Sequence, residues 1–321
     1  MLTRDDVVNA FDLLLGVTPD EATITFHLEN AADKAELSKA IIVSRAFMNR
    51  LHKISPVHVP DDAPLPPNGR FEDFERLADG VEGWFTDMSA ALFDCLLSAQ
   101  FNWGVTGNAL EIGVAYGRSA ILPALHVRSN EALRVIDFSE PTLNAAVKLL
   151  RPLTRGRLDA VRASSFDIKA GEADRGSVRF AHIDGDHSYP AILNDMAIVD
   201  DMLCEEGICV LDDFFSPQYC AITMAAGAFL AQRPDAFRLI ITGYNKGYFC
   251  RPSMEKRYLT FIRDELPDLL RLRRQTEFTF WRMMHPGQPG GFGLGTRQYG
   301  RDFITLNTDV NQPVGVEEIE F

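Results

Sequence analysis

"ALEIGVAYGRSA", residues 109–120, runs from an apolar stretch into a turn and then into helix-forming residues. Gly113 and Gly117 bracket the turn, and Glu111 precedes it. Glycine lets a chain turn tightly and lets a ligand approach the backbone. The N–H groups that open the following helix are free to meet a carboxylate or a phosphate. In an open α/β sheet such a turn lies at the carboxyl ends of the strands, where the strand order reverses. It is not a Walker loop, because the Gly-Lys-Ser/Thr ending is missing. Nor is it a full G-x-G-x-x-G, because Ala115 holds the middle position. Taken alone, it is also what a tight strand–helix turn looks like.

The next strand narrows the choice. "LRVIDF" (133–138) ends in Asp137, roughly 20 residues past the turn, where an acid can accept from both hydroxyls of a ribose. Strand and helix patterns then alternate: "TLNAAVKLLRPL", "LDAVRA", "VRFAHID", "YPAILNDMAIVDDML", "GICVLDD" and "YCAITMAAGAFLAQ". "FRLIITGYNKGYFCRP" reads as two strands around a Tyr-Asn-Lys-Gly turn. The pattern predicts an α/β fold: a doubly wound, mostly parallel, Rossmann-like seven-stranded sheet with an antiparallel terminal hairpin.

Outside this block the chain changes character. Residues 1–55 read as a small helical domain, with Thr3 and Asp6 forming a capping box. Residues 56–80 read as a Pro-rich linker, because five prolines fall between Pro56 and Pro67. Residues 81–255 form the α/β domain. Residues 256–321 open with a charged helix and become Gly-rich, which reads as a surface arm.

Of 321 residues, 46% are hydrophobic and 24% charged, and the net charge is −13. That balance speaks against nucleic acid and against anionic membranes as partners. No apolar run reaches the roughly 20 residues of a membrane helix. The five cysteines are scattered without a CxxC pair, which fits free thiols and a cytoplasmic location. The arm leaves a homo-oligomer open.

The acids carry the chemistry. "HIDGDHSY" (182–189) follows one strand and "VLDDFF" (210–215) closes the next. Adjacent strands lie about 4.8 Å apart, so Asp184, Asp212 and Asp213 should meet at one edge. Carboxylates that close repel one another unless a cation intervenes. Oxygen ligands favour Mg²⁺, with Mn²⁺ or Ca²⁺ as alternatives. Helix caps would explain one acid per strand end but not the Asp212–Asp213 pair. His187 falls over the same edge, and its ordinary pKa suits a proton acceptor. A cap of the next helix is the other reading for it. Asp186 either orients the ring or closes the loop.

With "EIGVAYGRS", Asp137, "HIDGDHSY" and "VLDDFF" together, residues 81–250 resemble the class I S-adenosylmethionine (SAM)-dependent O-methyltransferases. The likeness is to the catechol- and caffeoyl-CoA-type and the macrocin-type sugar enzymes. The resemblance implies Glu111, Gly113 and Gly117 at the methionine part of SAM, Asp137 at its ribose, and Ser164 and Ser165 near its adenine. It implies Asp184, Asp212 and Asp213 as ligands of Mg²⁺ or Mn²⁺. Where the catechol branch has a lysine base, this chain has His187, as the macrocin-like branch does. The expected activity is methyl transfer to a hydroxyl of a sugar or other small diol-bearing molecule. Tyr116, Phe138, Phe214 and Phe215 are candidates for the cleft wall. A metal-dependent hydrolase, a non-catalytic SAM- or nucleotide-binding subunit and an NAD-dependent oxidoreductase are the rival readings.

Overall fold

The computed structural model describes residues 2–42, 44, 63–171, 174–285 and 288–295. The chain divides into two compact units, 1–59 and 60–321. In the first, helices Arg4–Leu15, Glu21–Asn30 and Lys34–Ile42 enclose Val7, Phe11, Ile24, Leu37 and Ile41. The Thr3–Asp6 capping box forms: Asp6 N–H donates to Thr3 Oγ1 (3.3 Å), and Thr3 N–H to Asp6 Oδ2 (3.0 Å). Of the expected helical domain and linker, residues 43 and 45–62, Pro56 and Pro60 among them, lie outside the described residues.

The second unit is built on one sheet. Its strands are β1 (Asn108–Ile112), β2 (Ala132–Asp137), β3 (Arg157–Arg162), β4 (Val178–Ile183), β5 (Leu203–Asp212), β6 (Arg238–Gly243), β7 (Lys246–Cys250), β8 (Thr279–His285) and β9 (Gln288–Gly295). They lie in the order β3-β2-β1-β4-β5-β7-β6-β9-β8. β1 to β5 are mutually parallel, and β7 runs antiparallel to both β5 and β6. The chain winds outward from β1 through β2 to β3, then crosses back to β4. The reversal therefore falls between β1 and β4, where a crevice opens at the carboxyl ends.

Helices cover both faces, so the central strands read as continuous apolar runs; every residue of β4 is buried. Helix Asp87–Asn102 packs on one face and Tyr189–Met202 on the other. Phe93 of the first helix places its ring centroid 5.0 Å from that of Phe180 and 5.1 Å from the ring of His182. Truncating such a residue to alanine costs about 3–5 kcal/mol and would loosen the floor under the strand ends.

Two boundaries differ from expectation. Helix Phe71–Leu77 lies inside the expected linker, with Phe71 and Phe74 buried. The described part of the expected arm is integral: helices Glu255–Asp264 and Leu266–Leu272 bury Tyr258, Phe261, Ile262, Leu266 and Leu270 in the core. Buried Arg273 pairs there with Asp94 through Nε at 2.7 Å. β8 and β9 then extend the sheet beyond the seven expected strands. Two glycines of β9 mark close approach, not looseness: a Cβ on Gly291 would crowd the carbonyls of Leu239 and Ile240, and one on Gly293 the Trp281 ring. Residues 296–321 lie outside the described residues.

Candidate active site

A cavity of about 860 Å³ opens at the β1–β4 switch point. Its lining includes Gly113–Tyr116 of the glycine turn, Asp184, Gly185 and His187 after β4, Asp212 and Asp213 at the end of β5, and Tyr219 and Asn245. A further wall comes from Glu82–Phe85. Arg118, just past the turn, fastens that wall by donating to the carbonyls of Ala78 (2.7 Å) and Val81 (2.9 Å).

The glycine turn is held from three sides. Gly113 N–H donates to Ile136 O of β2, and Asp184 N–H donates to Ile112 O, both at 2.8 Å. Gly113 adopts φ 86°, and a Cβ there would overlap the Asp184 carbonyl. Asp137 closes the set: Oδ2 accepts from Ala115 N–H and Oδ1 from Ser139 N–H, each at 2.8 Å. Ala115 itself sits at φ 43°, a left-handed conformation that alanine adopts at a cost of about 1–2 kcal/mol. Asp137 helps to hold it there.

The expected cofactor residues separate on this geometry. Gly113 lines the cleft. Asp137 braces the turn from behind, and Gly117 packs against Ala146. Glu111 is displaced from its expected place: it is fully buried, accepts from the Ser119 hydroxyl, and has Oε1 3.2 Å from His182 Nδ1. Ser164 and Ser165 follow β3 at a short 3₁₀ turn, outside the cleft lining. Of the candidate wall aromatics, Tyr116 lines the cleft, Phe214 is buried, and Phe138 and Phe215 are exposed without lining it.

At the acidic side, His187 lies between two carboxylates. Its Nε2 is 3.5 Å from Asp184 Oδ1 and its Nδ1 is 3.6 Å from Asp213 Oδ2. The Tyr219 ring meets it edge-on at 4.3 Å between centroids. The Asp184 carboxylate beside it raises the His187 pKa above the ordinary histidine value, against a smaller opposing effect of burial. Burial raises that of Asp184 itself. Asp186 resolves as a loop closure, its Oδ1 accepting from Ser188 N–H at 2.8 Å.

The three acids do not act as one group. An oxygen each from Asp184 and Asp213 and a ring nitrogen of His187 lie within 4.8 Å of one another, a span one cation could bridge. Asp212 instead falls with Asp184 and buried His182. Its Oδ2 pairs with Lys246 Nζ and lies 3.3 Å from His182 Nε2. Burial alone would raise Asp212, but His182 and Lys246 hold its carboxyl well below the usual range. Burial alone would lower His182, but Glu111 and Asp212 lift it to about 9. The full set expected for the metal, with Asp212 beside the other two, is thus not assembled as a single cluster. His182 and Lys246 carried no assignment in the sequence. Lys246 finds Asp212 only through the β5–β7 register, which sets the two residues opposite each other.

Residues 110–214 match a protein family described as a methyltransferase domain. The match spans β1 through the end of β5, and so takes in both the glycine turn and the acids. Solved structures with a similar fold include the O-methyltransferase NovP, at 16% identity and TM-score 0.41 over 53% of this chain and 83% of that one. An O-methyltransferase from Bacillus cereus in complex with SAH matches at 14% identity and TM-score 0.42, over 63% and 95%. CalS11, a TDP-rhamnose 3'-O-methyltransferase of calicheamicin biosynthesis, matches at 13% and 0.40, over 77% and 93%. No curated protein matches the chain significantly. No helix among the described residues is long and apolar enough to cross a membrane.

Proposed function

We propose that the domain is a SAM-dependent O-methyltransferase, assisted by a divalent cation, that acts on a hydroxyl of a sugar or another small diol-bearing molecule. The observation that carries this reading is His187, held between Asp184 and Asp213 in the cleft that the glycine turn also lines. When bound, SAM supplies a methyl carbon on a good leaving group, and Mg²⁺ or Mn²⁺ lowers the pKa of a hydroxyl it holds.

The residues present suit both groups. The bare, positive-φ backbone at Gly113 offers a cradle for the amino-acid part of SAM, and Asp137 holds that turn in shape. Asp184 and Asp213 present the hard oxygens that a divalent cation prefers. An alcohol is a poor nucleophile at neutral pH, so the site must remove its proton as the new bond forms. His187 is the group that accepts that proton. Its two carboxylate neighbours stabilise the imidazolium that results, and Tyr219 restrains the ring. The wall at Glu82–Phe85 limits where an acceptor can sit, which favours a fixed angle of attack.

The test uses purified full-length chain with SAM, a panel of monosaccharides and nucleotide sugars, simple diols and isolated alcohols, with and without chelator. S-adenosylhomocysteine should form with acceptors that carry adjacent hydroxyls, and chelator should suppress it. Thermal stabilisation by NAD with none by SAM would sink the reading in favour of an oxidoreductase. Undiminished turnover in excess chelator would remove the cation from it.

A further inference from the structure

Lys246 is a buried cation next to the cleft for which the reaction above has no use. It opens β7, is 2% exposed, and lies 5.2 Å over the ring of Phe85. Its Nζ pairs with Asp212 Oδ2. From the other side His182 Nε2 approaches the same oxygen, and His182 Nδ1 faces Glu111, which accepts from Ser119. A row of buried polar groups therefore runs beneath the cleft, from the glycine turn to β7.

We infer that Asp212 is a positioning residue and not a metal ligand: Lys246 is the fixed cation that neutralises it, and Asp184 and Asp213 are the carboxylates that hold the ion. This rests on the metal-assisted reading above. Three observations carry it. Both Asp212 oxygens are committed: Oδ2 pairs with Lys246, with His182 Nε2 3.3 Å away, and Oδ1 accepts from the Asp213 N–H at 2.8 Å. Turning the carboxylate toward a metal would leave the Lys246 ammonium buried without a partner, which a low-dielectric interior opposes. It would also bring a second cation close to that ammonium.

The third observation is what Asp212 does for its neighbour. Asp213 adopts φ 50°, and its N–H is held by Asp212 Oδ1. Asn245 Nδ2 donates to Asp213 Oδ1, which leaves Oδ2 on the His187 side. Asp212 thus fixes the turn that presents Asp213 to the cleft. Lys246 and His182 fix Asp212.

The experiment counts bound Mn²⁺ by electron paramagnetic resonance on the full chain. It compares the wild type with Asp184→Asn, Asp213→Asn and the double variant Asp212→Asn/Lys246→Met. The double variant removes both members of the buried pair, and its amide oxygen can still accept from Asp213 N–H. Asp184→Asn and Asp213→Asn should weaken Mn²⁺ binding about tenfold or more, while the double variant stays within about threefold of wild type. Loss of binding in a cooperatively melting double variant, matching that of Asp184→Asn, would overturn the inference. Should the double variant not fold, a Mn²⁺-soaked wild-type crystal decides: an Asp212 oxygen at about 2.1–2.3 Å from the ion overturns the inference. Wild-type protein that binds no Mn²⁺ would instead remove the metal reading itself, and this inference with it.

Discussion

The two halves of the cleft are built to different standards. On the β1–β2 side the glycine turn is closely tied down: Asp137 accepts two backbone N–H groups at 2.8 Å, and the Gly113 N–H is bonded to β2. On the β4–β5 side the contacts facing the cleft are long, 3.5 and 3.6 Å around His187. Below them, Asp212 and Lys246 are tightly paired. A rigid half suits a ligand recognised the same way in every cycle. A half with unfilled hydrogen-bonding capacity suits groups that arrive, react and leave.

The largest expected effect breaks the acidic half alone. His187→Ala should lower turnover by about 10²–10⁴-fold, the usual contribution of a positioned proton acceptor. SAM affinity and the melting temperature should hardly move, because the ring is half-exposed and packs chiefly on Tyr219. Turnover near wild type in steady-state assays would take His187 out of the reaction.

Gly113→Ala breaks the rigid half. A Cβ at positive φ costs about 1–2 kcal/mol, and its clash with the Asp184 backbone adds about 1–3 kcal/mol. At roughly 2–4 °C per kcal/mol for a unit of this size, the thermal melt should drop clearly, and SAM affinity with it. Gly117→Ala, whose Cβ would meet Ala146 Cβ at 3.1 Å, should cost less. If Gly113→Ala is the milder of the two, the turn is not braced against β4 as described.

The same contrast explains what the sequence revealed. Alternating periods in 81–250 announced the sheet, and the positive φ of Tyr244 and Asn245 is what the Tyr-Asn-Lys-Gly turn requires. That Asp184, His187 and Asp213 come together was legible because all three follow the ends of neighbouring parallel strands. Helix Phe71–Leu77 was hidden by the prolines before it, although Phe71 and Phe74 have helical spacing. β9 was hidden because its glycines look like flexibility when they serve close packing. Lys246 and His182 were hidden for another reason. A lysine in a hairpin and a histidine in a strand become a charge network only once register sets them around Asp212.

The smallest expected effect concerns the contact on which the acidic half turns. Asp184 raises the His187 pKa, so the metal-free imidazole should titrate above the ordinary value of about 6.5. A raised pKa means the paired, charged form contributes stability that is full below the unfolded value and lost as pH rises through the folded one. Asp184→Asn removes the first cause, and the His187 titration, followed by NMR in metal-free protein, should move down. An unchanged titration would mean that a 3.5 Å separation is too long for Asp184 to act on His187. In that case Asp213, on the ring's other nitrogen, would be the carboxylate that sets its charge.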